Sequence, residues 1–302
     1  MVRLRRLGRV LDPAHGPGWM ASHAAYPTPV RLADGRLRLF FVSRDTEGRG
    51  QVGWADVADD DPTRVTALSP RPVLATGEAG GFGERGWSPG NGLVRDGALH
   101  LYLMGWNAGG AAPFRNAIGL AVDPCGTGDA LALAHRGPLL DRSRFDPYSL
   151  SYPHVSPPDP AGGPWRMIYG THRGPGTHER TMRHTLSEAL SDDGIDWRPI
   201  GADLLALEPG ELGHSRPWIF EHGGERWLAF SVRRAAYAIG LARWTGAAWE
   251  RRGDLLGPGE APWEDEAVCY AAFADTPRGT VCFYCANGYG RTGFGAALVE
   301  AG

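Results

Sequence analysis

The sequence predicts an all-β fold, a five-bladed β-propeller closed by an N-terminal strand, on three observations. A hairpin turn leading into an alternating strand recurs about every 55–66 residues. The 302 residues include 44 Gly, 24 Pro and 11 Trp, which suits short strands, tight turns and aromatic wedges between sheets. No long segment carries the 3.6-residue period of an amphipathic helix.

The repeat is read from its turns. Asp34-Gly35 runs into RLRLFFVSR, and Asp96-Gly97 into ALHLYLMGW. Gly162-Gly163 precedes PWRMIYGTH, Gly223-Gly224 precedes ERWLAFSVR, and Arg278-Gly279 precedes TVCFYCANG. Each is a turn followed by a period-2 strand. A short apolar strand lies upstream of each turn and a third strand downstream, with a fourth in most units. The fifth unit stops after its third strand at Gly302, so Leu4–Leu11 is expected to supply the missing outer strand, with Arg5–Val10 pairing with Gly293–Val299. The expected organisation is a single domain over 1–302, with blades at about 22–75, 86–137, 146–202, 212–256 and 263–302 plus 3–11.

A chain of this length buries a core without staples. The formal net charge of −3 speaks against nucleic acid or an anionic membrane as partner. No apolar run is long enough to span a bilayer, and Met1–Val10 lacks the apolar stretch of a secretory signal, so a cytoplasmic location is expected. Cys282 and Cys285 have CxxC spacing within a strand-like run. Residues three apart on a strand face opposite ways, so burial is expected rather than a metal or redox role.

Four segments resemble the five-bladed β-propeller glycosidase superfamily of invertases, levansucrases, arabinanases and β-mannoside phosphorylases. They are Ser22-His23-Ala24-Ala25-Tyr26-Pro27 with Phe40–Asp45, the turn from Ser191 to Trp197, His214-Ser215-Arg216-Pro217, and Asn287–Gly290 with Thr292–Gly295. The resemblance covers essentially the whole chain and implies a central funnel that handles a carbohydrate. It also implies an aspartate in the first blade, an aspartate in the third and a glutamate in the fourth. This sequence departs there, offering Ser22-His23, Tyr152-Pro153-His154 and His214 instead. The triad therefore does not carry over.

Propeller geometry selects candidates at the starts of first strands and the ends of second strands. Glycoside hydrolysis needs two carboxyl groups, or a substitute acid such as histidine. The expected catalytic residues are Glu266 as base or nucleophile, His214 or His154 as acid, and Asp45, which also suits a fixed salt bridge. Expected ligand contacts are His23, Arg44, Trp87, Asn91, Trp106, Tyr152, His172, Arg216, Arg233, Glu264, Tyr270, Asn287 and Tyr289. Aromatic faces stack on sugar rings, while Arg, Asn and His bond hydroxyls. The polar stretch Arg173–Arg183 reads as a solvated hairpin or as a cover for the funnel. No cofactor and no metal is called for, and the partner is a small carbohydrate or sugar-containing ligand.

Three functions stay open at this point. The first is a hydrolase or transglycosylase acting on a small or terminal sugar, for which the arginines suggest an acidic or phosphorylated group. The second is a non-catalytic carbohydrate-binding propeller. The third is histidine acid–base chemistry in specialised metabolism. The oligomeric state is not encoded in any recognisable feature.

Overall fold

The computed structural model describes residues 2–174 and 182–301. Of the stretch Arg173–Arg183, residues 175–181 lie outside the described residues. The regular secondary structure of the described residues is almost entirely antiparallel strand. Three sheets have four strands and one has eight. In the eight-stranded sheet, a half built on Leu150–Ser156 and a half built on Gly213–His222 meet at one parallel pair, His184 beside Gly213. The N-terminal strand Val2–Leu11 runs antiparallel to Phe294–Ala301, the pairing expected from the truncated fifth unit.

The hairpins form where the turn chemistry requires. Asp96 and Gly97 both have positive φ, 51° and 80°, as do Gly223 and Gly224, the geometry of a turn whose twist matches its flanking strands. Alternation then sends side chains into two different cores. Leu37, Leu39 and Phe41 enter one cluster, while Phe40 and Val42 enter the next. Both faces of a sheet are thus buried, as wedge-packed sheets demand. Cys282 and Cys285 part in the same way: Cys282 packs with Trp218 and Phe273, Cys285 with Tyr26 and Tyr270. Both thiols are free and buried.

The leading strands Ser22–Arg31, Trp87–Arg95, Leu150–Ser156, Gly213–His222 and Cys269–Thr276 pack side by side in a ring, the last returning to the first. Each one breaks register with its partner near its middle, between Ala25 and Thr28, Pro89 and Gly92, Ser151 and His154, Ser215 and Trp218, and Cys269 and Ala272. These bulges shape the axis of the ring. No helix among the described residues is long and apolar enough to cross a membrane.

At the second bulge the chain carries Gly90. A Cβ there would run into the carbonyl oxygen of Pro153, a backbone atom that cannot rotate away. Gly90→Ala is expected to cost at least about 3 kcal/mol, the upper end of overpacking. Gly137→Ala, where a Cβ meets nothing within 4 Å, should change the midpoint little. Urea denaturation of the two variants checks this, and an unchanged midpoint for Gly90→Ala would show that the axis has room.

Candidate functional site

The bulges aim side chains at the axis. Tyr26, Tyr152, Arg216 and Tyr270 sit at four of them with φ of 57°, 35°, 45° and 59°. Left-handed backbone costs non-glycine residues roughly 1–2 kcal/mol each, so the surrounding sheets must hold these conformations. The three tyrosine rings form a triangle with centroids 4.8–5.2 Å apart. The Tyr152 hydroxyl donates to the Tyr26 hydroxyl at 3.1 Å. The Arg216 guanidinium lies 5.7 Å from the Tyr26 ring centre.

Two cavities lie along the leading strands, and the three tyrosines line the smaller. One, of about 1260 Å³, opens at the ends of the leading strands and is lined by Leu93, His154, Pro157, Phe220 and Trp249 among others. Its wall mixes proline, glycine and charges of both signs. The other, of about 210 Å³, lies on the tyrosine side. It is the smaller, but the cations, imidazoles and aromatic rings converge there, which marks it as the better candidate.

The wall of the smaller cavity includes Arg44, Arg233, His172 and His184, with Trp87, Trp106, Phe114, Tyr237 and Tyr289. The Arg44 guanidinium lies 5.7 Å from the Trp106 ring centre. His172 and His184 face each other across paired strands with ring centroids 5.1 Å apart, and the edge of His172 meets Phe114 at 5.5 Å. Nδ1 of each imidazole is buried without a hydrogen-bond partner. Burial, then the nearby Arg233 charge, pushes His172 down to about 4. Burial first, then His172 and Arg233, holds His184 well below the ordinary imidazole value. His23, behind Arg44, is pushed down to about 4 by burial, then Arg44 and Arg291, and its Nδ1 is 2.9 Å from the Ser22 hydroxyl. All three rings are therefore uncharged at neutral pH.

Of the residues expected from sequence, Arg44, Trp87, Trp106, Tyr152, His172, Arg233, Tyr270 and Tyr289 line this one cavity. The expected catalytic set does not assemble. Glu266 is exposed, lines neither cavity, and uses only its backbone N–H, which donates to Asn287. His214 is wholly buried, its Nε2 2.7 Å from Glu211, whose other oxygen accepts from Arg234 and Arg251. His154 lines the wider cavity, where its Nε2 accepts from the Ile219 N–H and burial pushes it down to about 3. Asp45 closes a turn, accepting from the N–H groups of Glu47 and Arg49 and from the Arg49 side chain.

Four expected ligand contacts bind neighbouring chain instead. Asn91 bonds both the N–H and the carbonyl of Val155 at 2.8 Å. Arg216 donates to Pro27, Pro89 and Thr28. Glu264 accepts from Arg6 and from the Tyr284 hydroxyl. Asn287 accepts from the N–H groups of Glu266 and Ala267. Among the described residues no aspartate or glutamate lines the smaller cavity, and no group of three or more His, Cys, Asp or Glu side chains could hold a metal ion. Sequence reasoning missed Tyr26, Phe114, Asn116, His184 and Tyr237. Tyr26-Pro27 repeats in Tyr152-Pro153 and, with arginine, in Arg216-Pro217, a signal that could have found the first of them.

No protein-family model matches the chain. Its fold is similar to that of a BT0996 complex with RGII, with TM-score 0.75 at 16% identity over 100% of this chain and 93% of that one. It is also similar to a glycosyl hydrolase from Bacteroides ovatus, with TM-score 0.74 at 14% identity over 98% and 93%. A GH130-family glycoside hydrolase that targets β-1,2 mannosidic linkages in Candida mannan gives 0.72 at 14% over the same shares. At these identities the likeness establishes the fold, that of the glycoside-hydrolase propellers. By sequence the chain is 31% identical over 303 residues to the uncharacterized protein Rv1502 of Mycobacterium tuberculosis H37Rv, covering 98% of this chain and 99% of the relative. It is equally similar to the uncharacterized protein MT1551 of the CDC 1551 strain. With that identity over its whole length, the chain belongs to the family of these mycobacterial proteins.

Proposed function

We propose that the chain is one domain, a five-bladed propeller in which the eight-stranded sheet counts as two blades, and that its axial cavity recognises a small anionic sugar or sugar-containing ligand. One observation carries this reading. A single cavity collects two guanidinium groups, two uncharged imidazoles and a wall of aromatic rings, with no carboxylate among the described residues. Cations neutralise an acidic group, imidazole nitrogens bond hydroxyls, and rings stack on sugar faces. A volume of about 210 Å³ lies below the roughly 300–1,000 Å³ usual for drug-sized ligands, so one or two sugar units fit better than a long chain.

The shared fold supports carbohydrate processing as the broad activity, and one neighbour is an RGII complex. Hydrolysis by two carboxyl groups is the second reading. It calls for acids about 5–10 Å apart across the scissile bond. Glu266, His214, His154 and Asp45 share no cavity wall, and Glu211 and Glu264 are committed to arginines and a tyrosine. We therefore rank recognition of an anionic sugar ahead of two-carboxylate hydrolysis.

Calorimetry with galacturonate, glucuronate, glucose 6-phosphate and glucose tests the reading. At least one acidic ligand should bind tenfold or more tightly than glucose, and Arg44→Ala should remove at least tenfold, about 1.4 kcal/mol. Equal affinity for charged and neutral sugars would defeat it. The uncharged imidazoles set a pH dependence as well. The folded values of His172 and His23 lie below the unfolded 6.5, so the unfolded chain binds more protons between about pH 4 and 6.5. Stability is fully present above pH 6.5 and falls as pH drops toward 4, and His172→Gln should flatten the slope. Thermal melts from pH 4 to 8 measure this; a midpoint that does not move would mean that these rings are hydrated.

A further inference from the structure

We propose that the axial cavity catalyses β-elimination on a 4-O-linked uronide, with His172 as base, Tyr152 as acid and Arg44 opposite the carboxylate; the proposal rests on the anionic-sugar reading above. The proton on C5 of a uronide is acidified by the adjacent carboxylate. Removing it places further negative charge on that carboxylate, so the step needs a fixed cation there. Arg44 lines the cavity, and no described carboxylate pairs with it. The step also needs an uncharged base. His172 lines the same cavity, with Nδ1 lacking a partner and its ring stacked on His184. Two carboxylates, as hydrolysis requires, would repel this substrate, and the described wall has none.

The leaving oxygen needs a proton. Tyr152 lines the cavity, and its hydroxyl is already a donor, at 3.1 Å from the Tyr26 hydroxyl. In the step, the imidazole takes the C5 proton and the C–H electron pair forms the C4=C5 double bond. The C4–O bond breaks, and the departing oxygen takes the Tyr152 proton. Imidazolium then returns a proton to the phenolate through water, so the net change is one glycoside split into an alcohol and an unsaturated uronide. No oxidant, reductant or added water is consumed. Burial leaves free His172 a weak base, and a bound carboxylate beside it raises its proton affinity.

The full-length protein is incubated with oligomers of 1,4-linked galacturonate, glucuronate and mannuronate. Ultraviolet absorbance follows the double bond conjugated with the carboxylate, proton NMR follows its vinyl signal, and calorimetry measures binding in parallel. The expected result is one double bond per new reducing end. His172→Gln and Tyr152→Phe should each lose at least about 100-fold in kcat, the usual worth of a positioned acid or base, with a much smaller loss in uronide affinity. Tyr152→Phe keeps the axial ring, so it remains informative if His172→Gln fails to fold. Binding without a double bond, or reducing ends without one, would overturn elimination and leave anionic-sugar recognition standing. Binding of glucose 6-phosphate but no uronide would overturn the substrate class. No binding of any acidic sugar would remove both readings.

Discussion

Arg216 holds the axis together. Its guanidinium donates to the carbonyl of Pro89 at 2.5 Å, the carbonyl of Pro27 at 2.8 Å and the hydroxyl of Thr28 at 2.9 Å, so one side chain ties the fourth repeat to the first and second. Pro27 lies inside a bulge, and Pro89 and Thr28 border theirs. Buried carbonyls without donors are costly, and a rigid planar fork reaches several at once. The charge is 1% exposed and has no carboxylate partner among the described residues. Burial accordingly holds this group below the ordinary arginine value. The cation is tolerated because neutral oxygens and the Tyr26 ring surround it.

The smaller cavity carries cations of its own, Arg44 and Arg233. These two guanidinium groups make the site hostile to further positive charge. The imidazoles His23, His172 and His184 stay neutral there because burial and neighbouring guanidinium groups act in the same direction. The uncharged imidazoles of His172 and His184, each with an unpartnered Nδ1 beside a cation-lined space, are suited to an anionic, hydroxyl-rich molecule. The strained backbone at Tyr26, Tyr152 and Tyr270, which line this cavity, lies at bulges like the one that carries Arg216.

The repeat was legible in the sequence because hairpin turns and period-2 strands leave local marks. Asp96-Gly97 and Gly223-Gly224 are turn residues whatever surrounds them, and the outer strand Val2–Leu11 followed from a unit that stopped one strand short. The wall of the site was half legible, since second strands end at the axis and Arg44, Trp106, His172 and Arg233 lie at such ends. The expected acids and bases were not, and the bulge explains it. A one-residue slip reverses which face a side chain takes. His154 and His214 flank their bulges in sequence, yet one opens to the wide cavity and the other is sealed against Glu211. Glu266 lies before its strand, where Asn287 fixes the backbone and leaves the carboxylate outside. His184 was invisible because it reaches the cavity only by pairing across from His172, a contact no local pattern encodes.

The buried acids of this chain serve its seams. Glu211 bridges His214, Arg234 and Arg251; Asp146 accepts from Tyr169 and Ser143; Asp56 holds Arg38 and Arg36; Glu264 holds Arg6 and Tyr284. Each of these joins strands, and none lines the smaller cavity. A carboxylate that already accepts from two or three donors has little left for a substrate. In a fold shared with glycoside hydrolases, these acids work between strands, while arginine, histidine and tyrosine line the axis. A scaffold does not dictate its chemistry. Here the side chains that reach the axis favour recognising negative charge and moving protons between neutral groups over the paired carboxylates that water-driven cleavage requires.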